Sequence, residues 1–392
     1  MKAAVFLDGY LPHDEVKDPG LIPLGLNRIG CDTCLVTLTK PQLTNYSCPF
    51  SLISAQEERF KDAGFWRGLE AAVVICYTWL RPSYNPILEK ILASEKKIVI
   101  KADTDGRLGY PVMPRYIRDP NAPSLGNLTH WFRHTRAFGR FSVSHKTGYR
   151  ATMPERMKQI QLSSAVIIES PRAIANVSRV LDYWGRADLK SKLQLVPNPV
   201  AEDVVTAGPR TKQDLVLSAA RWDAPTKNAS VMLSCLKTFL RKKPRWRARL
   251  VGPTGSELLN EAVSRWDRDL SERIEILGFV SRQTLVESLA DSRIFFAPSM
   301  SEGFGIAAAE AACMGCTIVG TPLECFEFLA ANGFSGTLSD GFAANQIEKA
   351  LESDAAKHVE GAYDPLGIAA HWRSKLSFKQ VSAQIYEIIR EL

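Results

Sequence analysis

Ser299-Met300-Ser301-Glu302-Gly303-Phe304-Gly305-Ile306-Ala307-Ala308-Ala309-Glu310-Ala311-Ala312 is the stretch on which the reading of this chain turns. Before it, Ile294–Ala297 is a short apolar run of strand type that stops at Pro298. After it come Cys313-Met314-Gly315 and a second such run, Thr317–Gly320. The pattern predicts a strand, a glycine-containing loop, and a helix that starts near Gly305. Glycines in such a loop let backbone N–H groups approach an anion, and a helix N-terminus favours negative charge. Glu302 falls on the loop and Glu310 within the helix. Two carboxylates on one rim, each only able to accept hydrogen bonds, suit a hydroxyl-rich ligand such as a sugar and a ribose. For Glu302 alone, a carboxylate stabilised by the helix dipole is the competing reading.

Outward from this stretch, strand-like runs alternate with helical patterns along most of the chain. In the first half the strand candidates are Ala3–Leu7, Leu35–Leu38, Ala72–Tyr77, Lys97–Ala102, Phe141–Ser144 and Val166–Glu169. Helical stretches such as Pro82–Ser94 and Pro171–Trp184 lie between them. Leu195-Val196 stops at Pro197-Asn198-Pro199, and Ala201–Gln213 reads as a linker. A second series follows, with strands Leu215–Ala219, Arg249–Val251, Ile274–Leu277, Ile294–Ala297 and Thr317–Gly320. Phe378, Val381, Ile385, Ile388 and Ile389 then mark a closing amphipathic helix. Such alternation means parallel sheets flanked by helices, an α/β class. We expect two Rossmann-like domains, residues 1–200 and 201–365, and a helical segment 366–392 that packs back on the first. Ligands of open parallel sheets bind at the carboxyl ends of the strands.

Composition agrees with this class. The 392 residues are 45% hydrophobic and 23% charged, ordinary for globular domains, which excludes disorder and collagen-like repeats. The apolar run before Asp8 is too short for a secretory leader. The longest nearly apolar stretch, Ala71–Leu80, is about half of what a membrane-spanning helix needs. A soluble, cytoplasmic protein is the expectation. The eight cysteines form no disulfide framework in a chain of this length. Cys31/Cys34 and Cys313/Cys316 have zinc-like spacing but adjoin strand and helix patterns, so buried free thiols are expected. His130 and His134, with no Glu between them, read as helix-face histidines.

Glu302-Gly303-Phe304-Gly305, Glu310-Ala311 and Gly315 with Thr317-Ile318-Val319 resemble the signature of retaining glycosyltransferases of family four. In that family too, two glutamates stand eight positions apart. Ser218-Ala219-Ala220-Arg221-Trp222 and Lys227-Asn228 look like its diphosphate-holding Arg and Lys. Val251-Gly252-Pro253 and Leu277-Gly278-Phe279-Val280 are similar to its strand-end loops, and Val196–Val200 to the end of its first domain. The resemblance is specific over about 180–330. It implies the GT-B architecture, two Rossmann-like domains with parallel sheets facing a central cleft. It implies a catalytic set Arg221, Lys227 and Glu302. Donor contacts would come from Gly252, Phe279, Val280, Gly303, Phe304, Gly305 and Glu310, with Glu310 on the ribose and Glu302 on the sugar. The co-substrate would be a UDP-, GDP- or ADP-linked sugar, with no other cofactor. Independently, a forked guanidinium and a compact ammonium suit a departing diphosphate.

The sequence departs from the family pattern in three places. One extra residue separates Arg221 from Lys227. The glycine pair of the first loop is missing, which leaves Gly20 as the better candidate for close approach to the diphosphate. Where the family has a sugar-positioning His, this chain has Lys101-Ala102-Asp103-Thr104-Asp105-Gly106. Asp103 or Asp105 would take over that place. Asp-x-Asp is also how unrelated glycosyltransferases hold a divalent cation. Because cationic side chains are already present, we expect metal-independent chemistry.

Charge is uneven. Residues 1–200 carry 27 basic and 18 acidic side chains, and residues 201–392 carry 22 and 24. Between 101 and 160 there are 11 basic and 4 acidic residues, interleaved with aromatics and including Arg133, Arg136 and Arg140. This predicts an anionic acceptor, first a lipid-linked glycan at a membrane face, with Arg133 and Arg136 on the acceptor side. A nucleic-acid acceptor bearing hydroxylated bases is the second reading. A solvated face with no partner is the third. A catalytically silent nucleotide-sugar-binding protein on the same fold is the alternative, weakened because Glu302, Glu310, Arg221 and Lys227 are all present. A nicotinamide-dependent oxidoreductase is disfavoured, since no G-x-G-x-x-G follows the first strand.

Overall fold

A computed structural model describes residues 1–43, 46–106, 152–208 and 210–392. Two compact units divide the chain, Met1–Pro199 with Phe378–Leu392, and Val200–Ser377. The first contains β1 (Lys2–Phe6), β2 (Asp32–Leu38), β3 (Ser51–Ala55), β4 (Val73–Tyr77), β5 (Lys97–Lys101), β6 (Ala165–Ile168) and β7 (Leu193–Leu195). They form one parallel sheet in the order β3-β2-β1-β4-β5-β6-β7. The second unit contains β8 (Gln213–Ala219), β9 (Arg247–Val251), β10 (Ile274–Gly278), β11 (Ser292–Ala297), β12 (Thr317–Gly320) and β13 (Gly336–Leu338). Its sheet is also parallel, in the order β10-β9-β8-β11-β12-β13.

Both sheets follow from their residues. Val73-Val74-Ile75-Cys76-Tyr77 is buried throughout, as a central strand covered by helices on both faces must be. Along β1, Ala4 and Phe6 enter one core while Ala3 and Val5 enter the core on the other face. In β11, Phe295 and its neighbours Ile294 and Phe296 divide in the same way. In each sheet the chain order reverses where the first strand lies beside the fourth, β1 beside β4 and β8 beside β11. The crevice beyond the carboxyl ends of those strands is where this fold class takes ligands.

The edges differ from expectation. β3 and β13 are strands that the sequence pattern did not single out, and Ala201–Gln213 is no simple linker, because Glu202–Thr206 is helical. The candidate strand Phe141–Ser144 lies outside the described residues, as do His130 and His134. Helix Pro365–Leu376 stays with the second unit, so the segment that rejoins the first is Phe378–Leu392, shorter than the expected 366–392. Val381, Ile385 and Ile389 of helix Phe378–Arg390 share a core with Val5, Ile22 and Leu26. At Gly25 a Cβ would lie 2.1 Å from Ser382 Oγ, so the two helices meet there only because residue 25 is glycine.

The cysteines are free thiols; Cys31, Cys313 and Cys316 are buried as expected, whereas Cys34 is only half-buried. Cys316 Sγ lies 3.1 Å from the Leu289 carbonyl and 3.2 Å from that of Ser292, which places it inside the fold rather than on a metal knuckle. No helix among the described residues is long and apolar enough to cross a membrane.

Candidate active site

The loops after β8 and β11 come together at the switch point of the second sheet. Met300 N–H donates to the Thr226 carbonyl at 2.7 Å, and Asn228 Nδ2 donates to the Pro298 carbonyl at 3.2 Å. Asn228 adopts a left-handed backbone (φ 55°), a conformation that asparagine tolerates, and it sits between the one-turn helix Pro225–Lys227 and helix Ala229–Lys242. This geometry aims Lys227 at the second loop, where its Nζ lies 2.6 Å from Glu302 Oε1. Ser299 Oγ donates to the same oxygen at 2.7 Å. Ser218, Trp222, Lys227, Pro298, Glu302 and Gly305 are among the residues lining a cavity of about 90 Å³ here. Arg221 is exposed on the same loop, beside the buried Trp222.

Helix Ile306–Cys313 begins at Gly305 (φ 76°), and no side chain caps it. Its first N–H groups are thus available to an anion. The Phe304 ring is buried against Phe328, at 6.2 Å between centroids, so that residue offers its backbone and not its side chain to the loop. A Cβ at Gly305 would sit 3.1 Å from the Phe326 ring, in a backbone region that an alanine adopts only with strain. Gly305→Ala is therefore expected to cost about 1–2 kcal/mol. The check is chemical denaturation, with an unchanged midpoint as the contrary result.

Glu310 is buried. Arg282 Nη1 lies 2.7 Å from its Oε1 while Arg282 Nε and Nη2 hold Asp203 at 2.8 and 2.9 Å. Burial pushes the Glu310 carboxyl above its usual range, against the pull of Arg282. Sequence reasoning named Glu310 but missed Arg282 and Asp203, the groups that fix its orientation. The one signal was a basic residue just after Phe279-Val280, which the pattern alone does not connect to position 310. Phe279 is 82% exposed beyond the left-handed Gly278, and Val280 beside it is half-buried.

Other candidates lie elsewhere. Gly252 is needed for the chain itself, since a Cβ would fall 1.8 Å from the Ala220 carbonyl oxygen and its N–H donates to the Gly278 carbonyl at 2.9 Å. Gly20 is a correction. It lies inside helix Asp18–Arg28, whose first turn accommodates Pro19, and a Cβ there would meet Glu15 Cα at 2.5 Å. Its lack of a side chain serves this backbone crossing. Asp103 and Asp105 are half-exposed beyond β5 in the first unit. Arg133 and Arg136, with most of the basic 101–160 segment, lie outside the described residues. Among the described residues no three His, Cys, Asp or Glu side chains are grouped to hold a metal ion.

A parallel sheet of order 3-2-1-4-5-6-7 and a second of order 3-2-1-4-5-6, each with its own core, define a two-domain α/β protein of the GT-B fold. Residues 201–359 match the family model of glycosyl transferases group 1. The phosphatidyl-myo-inositol mannosyltransferase of Mycolicibacterium smegmatis is 27% identical over 284 residues, 70% of this chain and 69% of the relative. The GDP-mannose:cellobiosyl-diphosphopolyprenol alpha-mannosyltransferase of Xanthomonas campestris is 26% identical over 228 residues, 56% of this chain and 58% of the relative. Among solved structures, Anabaena HepE in complex with UDP and glucose superposes with a TM-score of 0.69 at 14% identity, over the full length of both chains.

Proposed function

We propose that the protein transfers a sugar from a nucleotide-sugar donor to a hydroxyl of a lipid-linked or surface glycan, with retention of anomeric configuration. The observation that carries this reading is the Lys227–Glu302 pair beside an uncapped helix N-terminus, at the switch point of the sheet. Lys227, Arg221 and the N–H groups of Gly303–Gly305 receive the diphosphate, and Glu302 accepts from a sugar hydroxyl. Glu310 takes the ribose, and the exposed Phe279 ring covers a face of the base, with Val280 and the Gly252 loop as its border. The anomeric C–O bond to phosphate breaks, and the departing phosphate oxygen takes the acceptor hydroxyl's proton. The new C–O bond forms on the same face, so no protein nucleophile is required. Charge growing on the diphosphate is met by Lys227, Arg221 and the helix, which makes the reaction metal-independent.

Two relatives named for transfer to a phosphatidylinositol and to a diphosphopolyprenol support a lipid-linked acceptor at a membrane face. They favour this over a nucleic acid. Thermal denaturation with UDP-, GDP- and ADP-sugars, with and without EDTA, tests the donor. At a hundredfold excess over its dissociation constant the cognate donor stabilises by about 2.7 kcal/mol, in EDTA as well. No shift with any of the three overturns the proposal.

A further inference from the structure

The carboxyl edge of the first sheet holds a ring of polar contacts that the donor site does not use. Lys101, the last residue of β5, and Glu169, just beyond β6, form an ion pair in which both side chains are wholly buried. Glu169 also accepts the backbone N–H of Asp103 at 2.9 Å and of Thr104 at 3.1 Å. Lys101 donates in addition to Asn198 Oδ1, and Asn198 Nδ2 reaches Asp103 Oδ1 at 3.5 Å. Trp79 Nε1 donates to the other carboxylate oxygen of Asp103 at 3.3 Å.

These contacts close on themselves and centre on Asp103, which stands in the left-handed region (φ 42°). Just beyond the neighbouring strand β4, Trp79 and Leu80 are left-handed too (φ 48° and 51°). Three non-glycine residues in that region at adjoining strand ends persist only where their surroundings over-determine them, and such strain concentrates at functional sites. A buried ion pair contributes little net stability, because desolvation offsets its attraction. Its effect here is geometric. The anchors are buried, while the carboxylate they fix remains half-exposed.

We propose that Lys101 and Glu169 are positioning residues that hold the Asp103 carboxylate as a fixed acceptor for a sugar hydroxyl. Among the described residues, Asp18, Asp103 and Glu169 gather around Lys101. The surplus of carboxylates favours a neutral hydroxyl over a phosphate. The half-buried Trp79 ring beside Asp103, stacked under the Arg81 guanidinium at 4.9 Å, gives a sugar ring an apolar neighbour. The inference rests on the glycosyl-transfer reading for the source of that sugar, either donor or acceptor.

The test compares wild type, Asp103→Asn, the double variant Lys101→Met/Glu169→Met, and all three changes together. Asparagine tolerates the left-handed backbone, and the Met pair replaces the ion pair by apolar groups of similar volume. Each protein is assayed for donor hydrolysis and for transfer to methyl glucoside and methyl mannoside. Saturation-transfer NMR reads glycoside binding without turnover, and unfolding midpoints are recorded. Asp103→Asn is expected to lower kcat at least tenfold, with nucleoside diphosphate affinity unchanged. The Met pair should fall by the same factor, with a lowered midpoint because the Asp103 and Thr104 N–H groups and Asn198 Oδ1 lose their partners, and the triple variant should lose no further activity. A loss already visible in hydrolysis assigns the hydroxyl to the donor sugar, and a loss confined to transfer and glycoside binding assigns it to the acceptor. Turnover and glycoside binding unchanged in Asp103→Asn would overturn the proposal, as would losses that multiply in the triple variant. Wild type that turns over no donor but binds glycoside through Asp103 would sink the glycosyl-transfer reading alone.

Discussion

Lys227→Ala is expected to lower kcat for sugar transfer about 10²–10³-fold, the usual effect of removing one preorganised group from the place where transition-state charge develops. The ammonium is held by Glu302 at 2.6 Å on a one-turn helix pinned to the β11 loop through Met300, so it needs no rearrangement as the diphosphate departs. Among the described residues, its carboxylate partner keeps the Ser299 hydroxyl when the lysine is removed. Both side chains are partly exposed, so the ion pair contributes little to stability and the variant should fold. The kinetic split is diagnostic. A fall in kcat larger than the rise in KM places Lys227 on the leaving group. A kcat near wild type with a raised KM would mean that it serves only to hold Glu302.

Glu310→Ala should reduce kcat/KM for the donor about 10–100-fold, the equivalent of one hydrogen bond to a charged group, about 1.5–3 kcal/mol. Arg282 keeps its two contacts with Asp203 in this variant, so its guanidinium does not become an unpaired buried charge. Affinity for the free nucleoside diphosphate, measured by calorimetry, should fall with it, and a 2′-deoxyribose donor should distinguish wild type from variant poorly. An unchanged diphosphate affinity would reduce the buried Glu310–Arg282–Asp203 group to a brace between helices.

The sequence exposed the repeating scheme and one half of the site, for physical reasons that can be traced to particular residues. Val73–Tyr77 and Ile294–Ala297 are continuous apolar runs bounded by turn residues, so the central strands are plain. Ser51–Ala55 lies at a sheet edge with only partial burial, and Gly336–Leu338 has three residues, too little for any periodicity. Glu302 and Glu310 lie close together in sequence around a glycine loop, and both are legible. Their partners stand far away in sequence, Lys227 at a distance of 75 residues from Glu302, and Arg282 on the helix before β11. Only the register of the parallel strands brings them together. Lys101 is the strongest case. In Lys97-Ile98-Val99-Ile100-Lys101 a terminal lysine reads as a solvated strand end, yet it is wholly buried because Glu169, 68 residues on, meets it. Gly20 stands inside a helix rather than before it, where the chain crosses Glu15, a local demand that the sequence does not display.

Helix Phe378–Arg390 has a consequence for biosynthesis. The β1–β7 sheet is translated early, but the core beneath it takes Val381, Ile385 and Ile389 from beyond the entire second unit. Domains usually fold as they leave the ribosome, N-terminal one first. Here the later-made unit can close its core before the earlier one does. The nascent first unit must wait with the Val5–Ile22–Leu26 surface uncovered until the last helix emerges.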